Sequence, residues 1–149
     1  TRAISSKSPA HCANDVPLIE LDGQAQLAMA SADLVVVASG TATLEAALLK
    51  KPMVIVYQLN ALTAWLMKRK AYLPWVGLPN ILCHEALVPE LLQDAANPQT
   101  LAETALALFH DPQRRAAMAQ RFTELHVSLK QNAAVRAADV VANLMNKAS

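Results

Sequence analysis

The sequence is poor in several residue types, and each shortage excludes a class of protein. Among 149 residues there are only three Gly and two each of Phe, Tyr and Trp, which argues against an all-β architecture with many tight turns. The net charge is +1, so there is no general electrostatic case for binding nucleic acid. No apolar run reaches the roughly 18–20 residues that span a bilayer as a helix.

The cysteines and histidines form no recognisable site. Cys12 and Cys83 lie far apart and show no CxxC or Cys/His spacing. Neither structural zinc nor a disulfide framework is therefore expected, and a reducing compartment is the default. The four His residues form no HExxH or similar motif. We predict that the chain holds no metal ion and needs no cofactor.

What the chain does contain is a high apolar content, 54% against 17% charged residues, which excludes a disordered chain. Its length suits one domain, and alternating strand and helix patterns predict an α/β fold. Only about three strands can be recognised, which is few beside the usual five or six of a sheet. Residues 1–15 are predicted to be a loop or the remnant of a missing N-terminal part.

The central pattern is a buried strand, a sharp turn and the start of a helix. Residues 34–38 are a Val-rich apolar run, as expected for a parallel strand covered on both faces. Ser39, Gly40 and Thr41 are small residues at which the backbone can turn tightly and a ligand can approach. The first N–H groups of the following helix would point over the carboxyl end of the strand, which predicts an anion-binding site.

Glu45 stands out because the helix around it is otherwise almost wholly apolar. One interpretation is that the helix dipole favours a carboxylate near the N-terminus, an effect of about 0.3–1 kcal/mol. The other is that Glu45 accepts hydrogen bonds from a diol, such as a ribose, whose phosphates lie at residues 39–41. The spacing alone leaves both open.

Further patterns extend this unit on both sides. Residues 16–21 are predicted to be a strand closed by the turn signal Asp22-Gly23, and residues 24–32 a short helix. Residues 53–57 are predicted to be another buried strand, after Pro52 has stopped the preceding helix. Right-handed crossovers would make these strands parallel.

A cluster of basic and aromatic residues lies at the end of a predicted helix, which Asn60 can cap and which runs to about Lys70. One interpretation is a helix C-terminus with favourable charges and aromatic rings packed on the core. The other is a patch at a membrane surface, because Trp together with Lys or Arg suits anionic lipid head groups. This predicted membrane patch consists of Trp65, Lys68, Arg69 and Trp75.

The segment after this cluster has two short patterns. Leu78-Pro79-Asn80 is predicted to be extended and then to turn, because Pro79 biases the residue before it away from helix. The Asn80 side chain either bonds the backbone locally or presents its amide to a ligand. Residues 88–93 are predicted to begin a short helix with Pro89 at its first position.

The rest of the chain is predicted to be helical. Asn97-Pro98 and Asp111-Pro112 each place a capping residue before a Pro that suits the first helical position. Apolar stripes along these helices are expected to be core or packing faces, either within the chain or against a missing domain or a second subunit.

Several motifs follow one another in a specific order. They are Ala38-Ser39-Gly40-Thr41-Ala42-Thr43-Leu44-Glu45, Lys51-Pro52-Met53-Val54, Tyr57, Trp65-Leu66 with Lys68-Arg69, Leu78-Pro79-Asn80, Glu90-Leu91-Leu92-Gln93, and Phe122-x-x-Leu125-His126. This run, over roughly residues 20–146, resembles the C-terminal part of the lipid-A-disaccharide synthases, glycosyltransferases of the GT-B type. The resemblance implies a Rossmann-like C-terminal half of a GT-B enzyme, with a parallel sheet and several C-terminal helices.

The resemblance also implies an activity and a division of the chain. The family transfers 2,3-diacylglucosamine from its UDP derivative to 2,3-diacylglucosamine 1-phosphate, and releases UDP. Residues 16–96 would form the domain that binds the UDP-sugar, and residues 97–149 would be helices that pack on it or on a partner subunit. The acceptor and the general base would belong to the missing N-terminal half, so the isolated chain is expected to be inactive.

The matching positions receive roles from the same resemblance. The residues implied to bind the UDP-sugar are Ser39, Gly40, Thr41, Glu45, Asn80, Glu90 and Gln93. The first three would meet the diphosphate and Glu45 the ribose, while Asn80 would lie in the donor cleft and be needed for turnover. One departure is Gln58, because the family commonly has a basic residue after the matched Tyr.

For this family the site of action is the cytoplasmic face of the inner membrane of a Gram-negative bacterium, with peripheral attachment. Exchange of C-terminal helices between two copies would make a homodimer, whereas the same helices folded back on their own chain would leave a monomer. Two alternatives stay open. The first is a related enzyme for another UDP-sugar, either a GT-B glycosyltransferase or an enzyme like the UDP-N-acetylglucosamine 2-epimerases. The second is an α/β interaction module without catalytic activity.

Overall fold

The computed structural model describes residues 17, 19–38, 40–58 and 74–130, and the helical positions 138, 140, 143 and 145. Its elements follow one another as strands and helices, as the sequence predicts. They are α1 (Ala25–Ser31), β1 (Val35–Ala38), α2 (Thr41–Leu48), β2 (Met53–Tyr57), α3 (Leu78–Cys83), β3 (Glu90–Leu92), a 3₁₀ turn (Gln93–Ala95), α4 (Pro98–Phe109) and α5 (Pro112–Leu129).

The three strands form one parallel sheet in the order β1-β2-β3. In the register of this sheet Ala38 lies opposite Val56, and Tyr57 opposite Leu92. Each strand is joined to the next through at least one helix, as parallel pairing requires. The α/β fold class and the parallel sheet are therefore confirmed.

The core lies where the sheet meets the helices. The β2 residues Met53, Val54 and Ile55 are fully buried, because a central parallel strand is covered on both faces. From the C-terminal helices, α4 contributes Leu108, and α5 contributes Met118 and Phe122. These helices are amphipathic, and their apolar stripes provide the packing that the sequence predicts for them.

Both predicted helix caps are confirmed. The Asn97 side chain accepts a hydrogen bond of 2.9 Å from the Thr100 N–H at the start of α4. The Asp111 carboxylate accepts one of 2.8 Å from the Arg114 N–H at the start of α5. In both helices Pro follows the cap, where its missing N–H removes nothing from the helix.

Two short segments differ from their predictions. Residues 90–92 form β3 rather than a helix, because Ile55 of β2 donates its N–H to the Pro89 carbonyl at 2.9 Å and so begins a strand ladder. Leu78-Pro79-Asn80 opens α3 rather than an extended segment, with Gly77 as its N-cap. Pro79 fits the first turn of α3, where an N–H has no partner in the helix.

The predicted strand at residues 16–21 is also wrong at the positions that can be described, since residues 17 and 19–21 belong to no strand. They precede a turn at Asp22-Gly23, which does form. None of the helices in the described ranges has the length and hydropathy needed to cross a membrane.

Packing of α5 against α2, α3 and α4 gives the first test. Phe122 is fully buried, so Phe122→Ala should lower the free energy of unfolding by about 3–5 kcal/mol through the cavity it leaves. Phe109 is 43% exposed, and the same substitution there should lower it by only about 1 kcal/mol. Urea unfolding of both variants measures the difference, and equal losses would contradict the packing of α5.

Candidate functional site

The carboxyl ends of β1, β2 and β3 lie at one edge of the sheet because the three strands are parallel. Neighbouring strands are about 4.8 Å apart, so the ends of β1 and β3 are separated by roughly 10 Å, with β2 between them. The turn before α2 follows β1, and Gln93 follows β3. In open α/β sheets this edge is where ligands bind.

The turn between β1 and α2 requires glycine. Gly40 has φ 132° and ψ −161°, a conformation that is essentially confined to glycine. It is the N-cap of α2 and has no side chain with which to cap the helix. The first N–H groups of α2, beginning at Thr41, therefore have no partner from a capping side chain and face the edge of the sheet. Ser39 lies outside the described residues.

Thr43 fixes this turn, and sequence reasoning gave it no role. Its side chain is fully buried, and its hydroxyl donates to the Gly40 carbonyl at 2.7 Å. The Thr43 N–H donates to the same carbonyl at 3.2 Å. A second Thr in the first turn of α2, after Thr41, was the only signal for this role.

Glu45 lies one helical turn beyond Thr41, and residues four apart share a face of a helix. It is half-buried, and within the described part of the chain its carboxylate has no hydrogen-bond partner. This position suits a carboxylate that binds a ligand, and it equally suits one that is stabilised only by the helix dipole. A role in binding ribose stays a prediction.

Glu90 begins β3 and has its partners within the protein. Its Oε2 accepts the Val76 N–H at 2.9 Å, and its Oε1 accepts the Gly77 N–H at 2.9 Å. Oε1 also accepts a hydrogen bond of 2.7 Å from Asn80 Nδ2. A carboxylate has about four lone-pair positions, so most of its capacity is used on this chain.

Asn80 is the most enclosed polar residue of this region, with an exposed fraction of 0%. Its Nδ2 donates to the Val88 carbonyl at 2.8 Å, and its Oδ1 accepts the Val88 N–H at 2.8 Å. The amide therefore bonds the local backbone, which is one of the two roles that the sequence left open. That Asn80 is needed for turnover stays a prediction.

A cavity of about 340 Å³ opens beside β3. Trp75 borders it together with Leu92, the last residue of β3, and Arg114 from the first turn of α5. Glu90 and Asn80 also line it. The cavity thus joins the Glu90 region to the carboxyl end of the sheet.

Other predicted site residues are placed less fully. Gln93 follows β3 with φ 54° and is half-buried. Gln58 is exposed directly after β2. Of the predicted membrane patch only Trp75 can be placed, because Trp65, Lys68 and Arg69 lie outside the described residues.

The remaining reactive groups offer no second centre in the described ranges. No three His, Cys, Asp or Glu side chains there come together in a way that could hold a metal ion. Burial raises the pKa of the Cys83 thiol, and the nearby Arg121 charge opposes this. A raised pKa disfavours the thiolate that a reactive cysteine needs.

Comparison with known proteins shows which family the sequence matches. A family model described as lipid-A-disaccharide synthetase matches residues 2–144. A lipid-A-disaccharide synthase of Dechloromonas aromatica is 52% identical over 134 residues, which are 90% of this chain and 35% of that protein. For the one of Chromobacterium violaceum the identity is 58% over 129 residues, 87% of this chain and 33% of that protein. The chain spans about a third of the length of these curated relatives.

The Gly40 turn gives a test that needs no ligand. An added Cβ at Gly40 would meet no atom within 4 Å, so Gly40→Ala acts through the backbone alone and should lower the free energy of unfolding by about 1–3 kcal/mol. Thr41→Ala, at the next exposed position, should change it by less than about 0.5 kcal/mol. Chemical unfolding measures both, and a Gly40→Ala variant as stable as Thr41→Ala would contradict the strained turn.

Proposed function

We propose, since this chain belongs to the lipid-A-disaccharide synthetase family, that it forms the donor-binding half of an enzyme that makes the lipid A disaccharide. The full protein transfers 2,3-diacylglucosamine from UDP-2,3-diacylglucosamine to 2,3-diacylglucosamine 1-phosphate. The products are lipid A disaccharide 1-phosphate and UDP. Residues 16–96 are the nucleotide-sugar domain in this proposal, and residues 97–149 are helices that pack on it or on a second copy.

The Gly40 turn is the observation that carries the proposal. It ends β1 and opens α2 at the carboxyl edge of a parallel sheet, where the N–H groups of a helix favour a phosphate. The absence of a Cβ at Gly40 leaves the backbone open to close approach. A diphosphate that lies against Ser39, Gly40 and Thr41 would therefore meet backbone N–H donors.

The chemistry that follows is an inverting displacement at the anomeric carbon of the donor. The acceptor hydroxyl attacks, the bond to the diphosphate breaks, and the negative charge that develops on the leaving UDP needs stabilisation. In this proposal the N-terminus of α2 supplies it, and the buried Thr43 hydroxyl keeps the turn in place. The general base that takes the acceptor proton belongs to the part of the enzyme outside this chain.

Glu45 completes the nucleotide site by accepting hydrogen bonds from the ribose hydroxyls. The position of Glu45, one turn into α2 and half-buried, supports this role. Asn80, Glu90 and Gln93 belong to the β3 side of the same cleft, which supports a contribution to the sugar end of the donor. Asn80 is proposed to be needed for turnover.

The proposal extends to where the enzyme works. Acylated substrates require access to a bilayer, so we expect peripheral attachment at the cytoplasmic face of the inner membrane. The basic and aromatic patch of Trp65, Lys68, Arg69 and Trp75 would make that contact. A homodimer through the C-terminal helices belongs to the same proposal.

Calorimetric titration of UDP into the full-length protein tests the nucleotide site. Glu45→Gln removes the charge and keeps the shape, and should weaken UDP binding at least about tenfold, which is 1.4 kcal/mol. Glu103→Gln makes the same change on an exposed face of α4 and should leave UDP binding unaltered.

Two results of this titration would count against the proposed nucleotide site. A wild-type protein that binds no UDP would refute the proposed function. UDP binding that Glu45→Gln leaves unchanged, with only a small loss of stability, would instead assign Glu45 to the helix dipole.

A further inference from the structure

We propose that Glu90 and Asn80 act in this reaction as positioning residues that touch no substrate. Together they form a clamp, defined here as the Glu90 carboxylate, the Asn80 amide and the hydrogen bonds between them and the backbone of residues 76, 77 and 88. The clamp fixes residues 74–77, and with them Trp75, at the β3 side of the donor site. The existence of the clamp rests on the geometry alone. The claim that it positions part of a donor site rests on the proposed function.

The Glu90 carboxylate binds the backbone of the segment before α3. Glu90 receives the consecutive N–H groups of Val76 and Gly77, one on each oxygen, at 2.9 Å. Two neighbouring amides bound to one carboxylate fix the orientation of the peptide between them. Hydrogen bonds to an ionised acceptor are also stronger than those between neutral groups. The segment before α3 is thus tied to the first residue of β3.

The Asn80 side-chain amide is held in one orientation. Its Nδ2 donates both to Glu90 Oε1 and to the Val88 carbonyl, at 2.7 and 2.8 Å, while its Oδ1 accepts the Val88 N–H at 2.8 Å. A flipped amide would place its oxygen against two acceptors, so only one orientation is stable. An amide so enclosed, and 0% exposed, acts on a substrate only through Glu90 and the backbone.

Gly77 packs closely against the side chains of Ile55 and Glu90. An added Cβ at this position would lie 2.3 Å from Ile55 Cδ1 and 3.0 Å from Glu90 Oε1. Gly77 has φ −78°, so the requirement for glycine comes from space and not from conformation. The backbone of the segment therefore lies directly on β2 and on the carboxylate that binds it.

The consequence concerns Trp75, which precedes the two clamped amides. Trp75 lines the 340 Å³ cavity together with Leu92 at the carboxyl end of β3 and Arg114 from α5. The clamp therefore sets the distance between Trp75 and the end of the sheet. Because the Gly40 turn lies about 10 Å away across β2, the clamp governs the sugar end of the donor and leaves the nucleotide end unaffected.

Direct contact and positioning predict different results for Glu90→Gln in the full-length protein. The Gln side chain has the same shape but presents an NH₂ group to one of the two backbone donors. We expect amide hydrogen exchange over residues 74–79 to become at least tenfold faster, kcat to fall at least tenfold, and UDP affinity to change less than threefold. Glu103→Gln, an exposed control, should change none of the three quantities.

A cycle of Asn80→Ala, Glu90→Gln and the double variant tests whether the two residues act through each other. Positioning predicts that the double variant loses no more of kcat than the worse single variant. Two losses that multiply would overturn the proposal, because independent contacts with the substrate give independent losses. If either variant fails to fold, the wild-type protein still tests the clamp: its Val76 and Gly77 amides must exchange slowly.

Unchanged exchange over residues 74–79 in Glu90→Gln, together with a UDP affinity weakened tenfold or more, would overturn the clamp and make Glu90 a ligand of the donor. A wild-type protein that binds no UDP would refute the proposed function but not the clamp. The exchange of the Val76 and Gly77 amides would then still decide whether the clamp exists.

Discussion

The region around β3 depends on one constraint, the half-buried carboxylate of Glu90 shared among three N–H donors. Through the Val76 and Gly77 amides it holds the start of α3, and through Asn80 it holds the Val88 backbone that leads into β3. Gly77 and Val88 are buried, and an unpaired polar backbone group in a buried residue is costly. The short helix and the short strand are thus stabilised by each other rather than by their own sequences.

The proposed donor site uses two kinds of rigidity. At β1 and α2, the backbone itself provides the donors, since Gly40 turns the chain and Thr43 secures the Gly40 carbonyl. At β3, the Glu90 and Asn80 side chains hold the backbone, while Trp75, Leu92 and Arg114 line the same cavity. Donors fixed before the substrate arrives need little reorganisation, which is how an enzyme favours a transition state in which charge moves onto a leaving group.

The sequence predicts those parts of the fold that local patterns control. β1, α2 and β2 follow from apolar runs and a Gly turn, and α4 and α5 from the caps at Asn97 and Asp111. β3 and α3 were predicted wrongly because three or six residues carry too little local preference, and pairing with Ile55 and the Glu90 carboxylate decide them. The Gly40 turn could be predicted because a local pattern marks it. The partners of Asn80 and the close packing of Gly77 could not, because they depend on residues of other strands and helices.

The most direct test of this division is the amide NMR spectrum of the isotopically labelled full-length protein with and without UDP. The amide signals of Gly40 and Thr41 should shift on titration, because the diphosphate is proposed to bind at the start of α2. The signals of Val76 and Gly77 should stay in place, because Glu90 already holds those N–H groups. Shifts at Val76 and Gly77 with none at Gly40 and Thr41 would contradict this placement of the diphosphate.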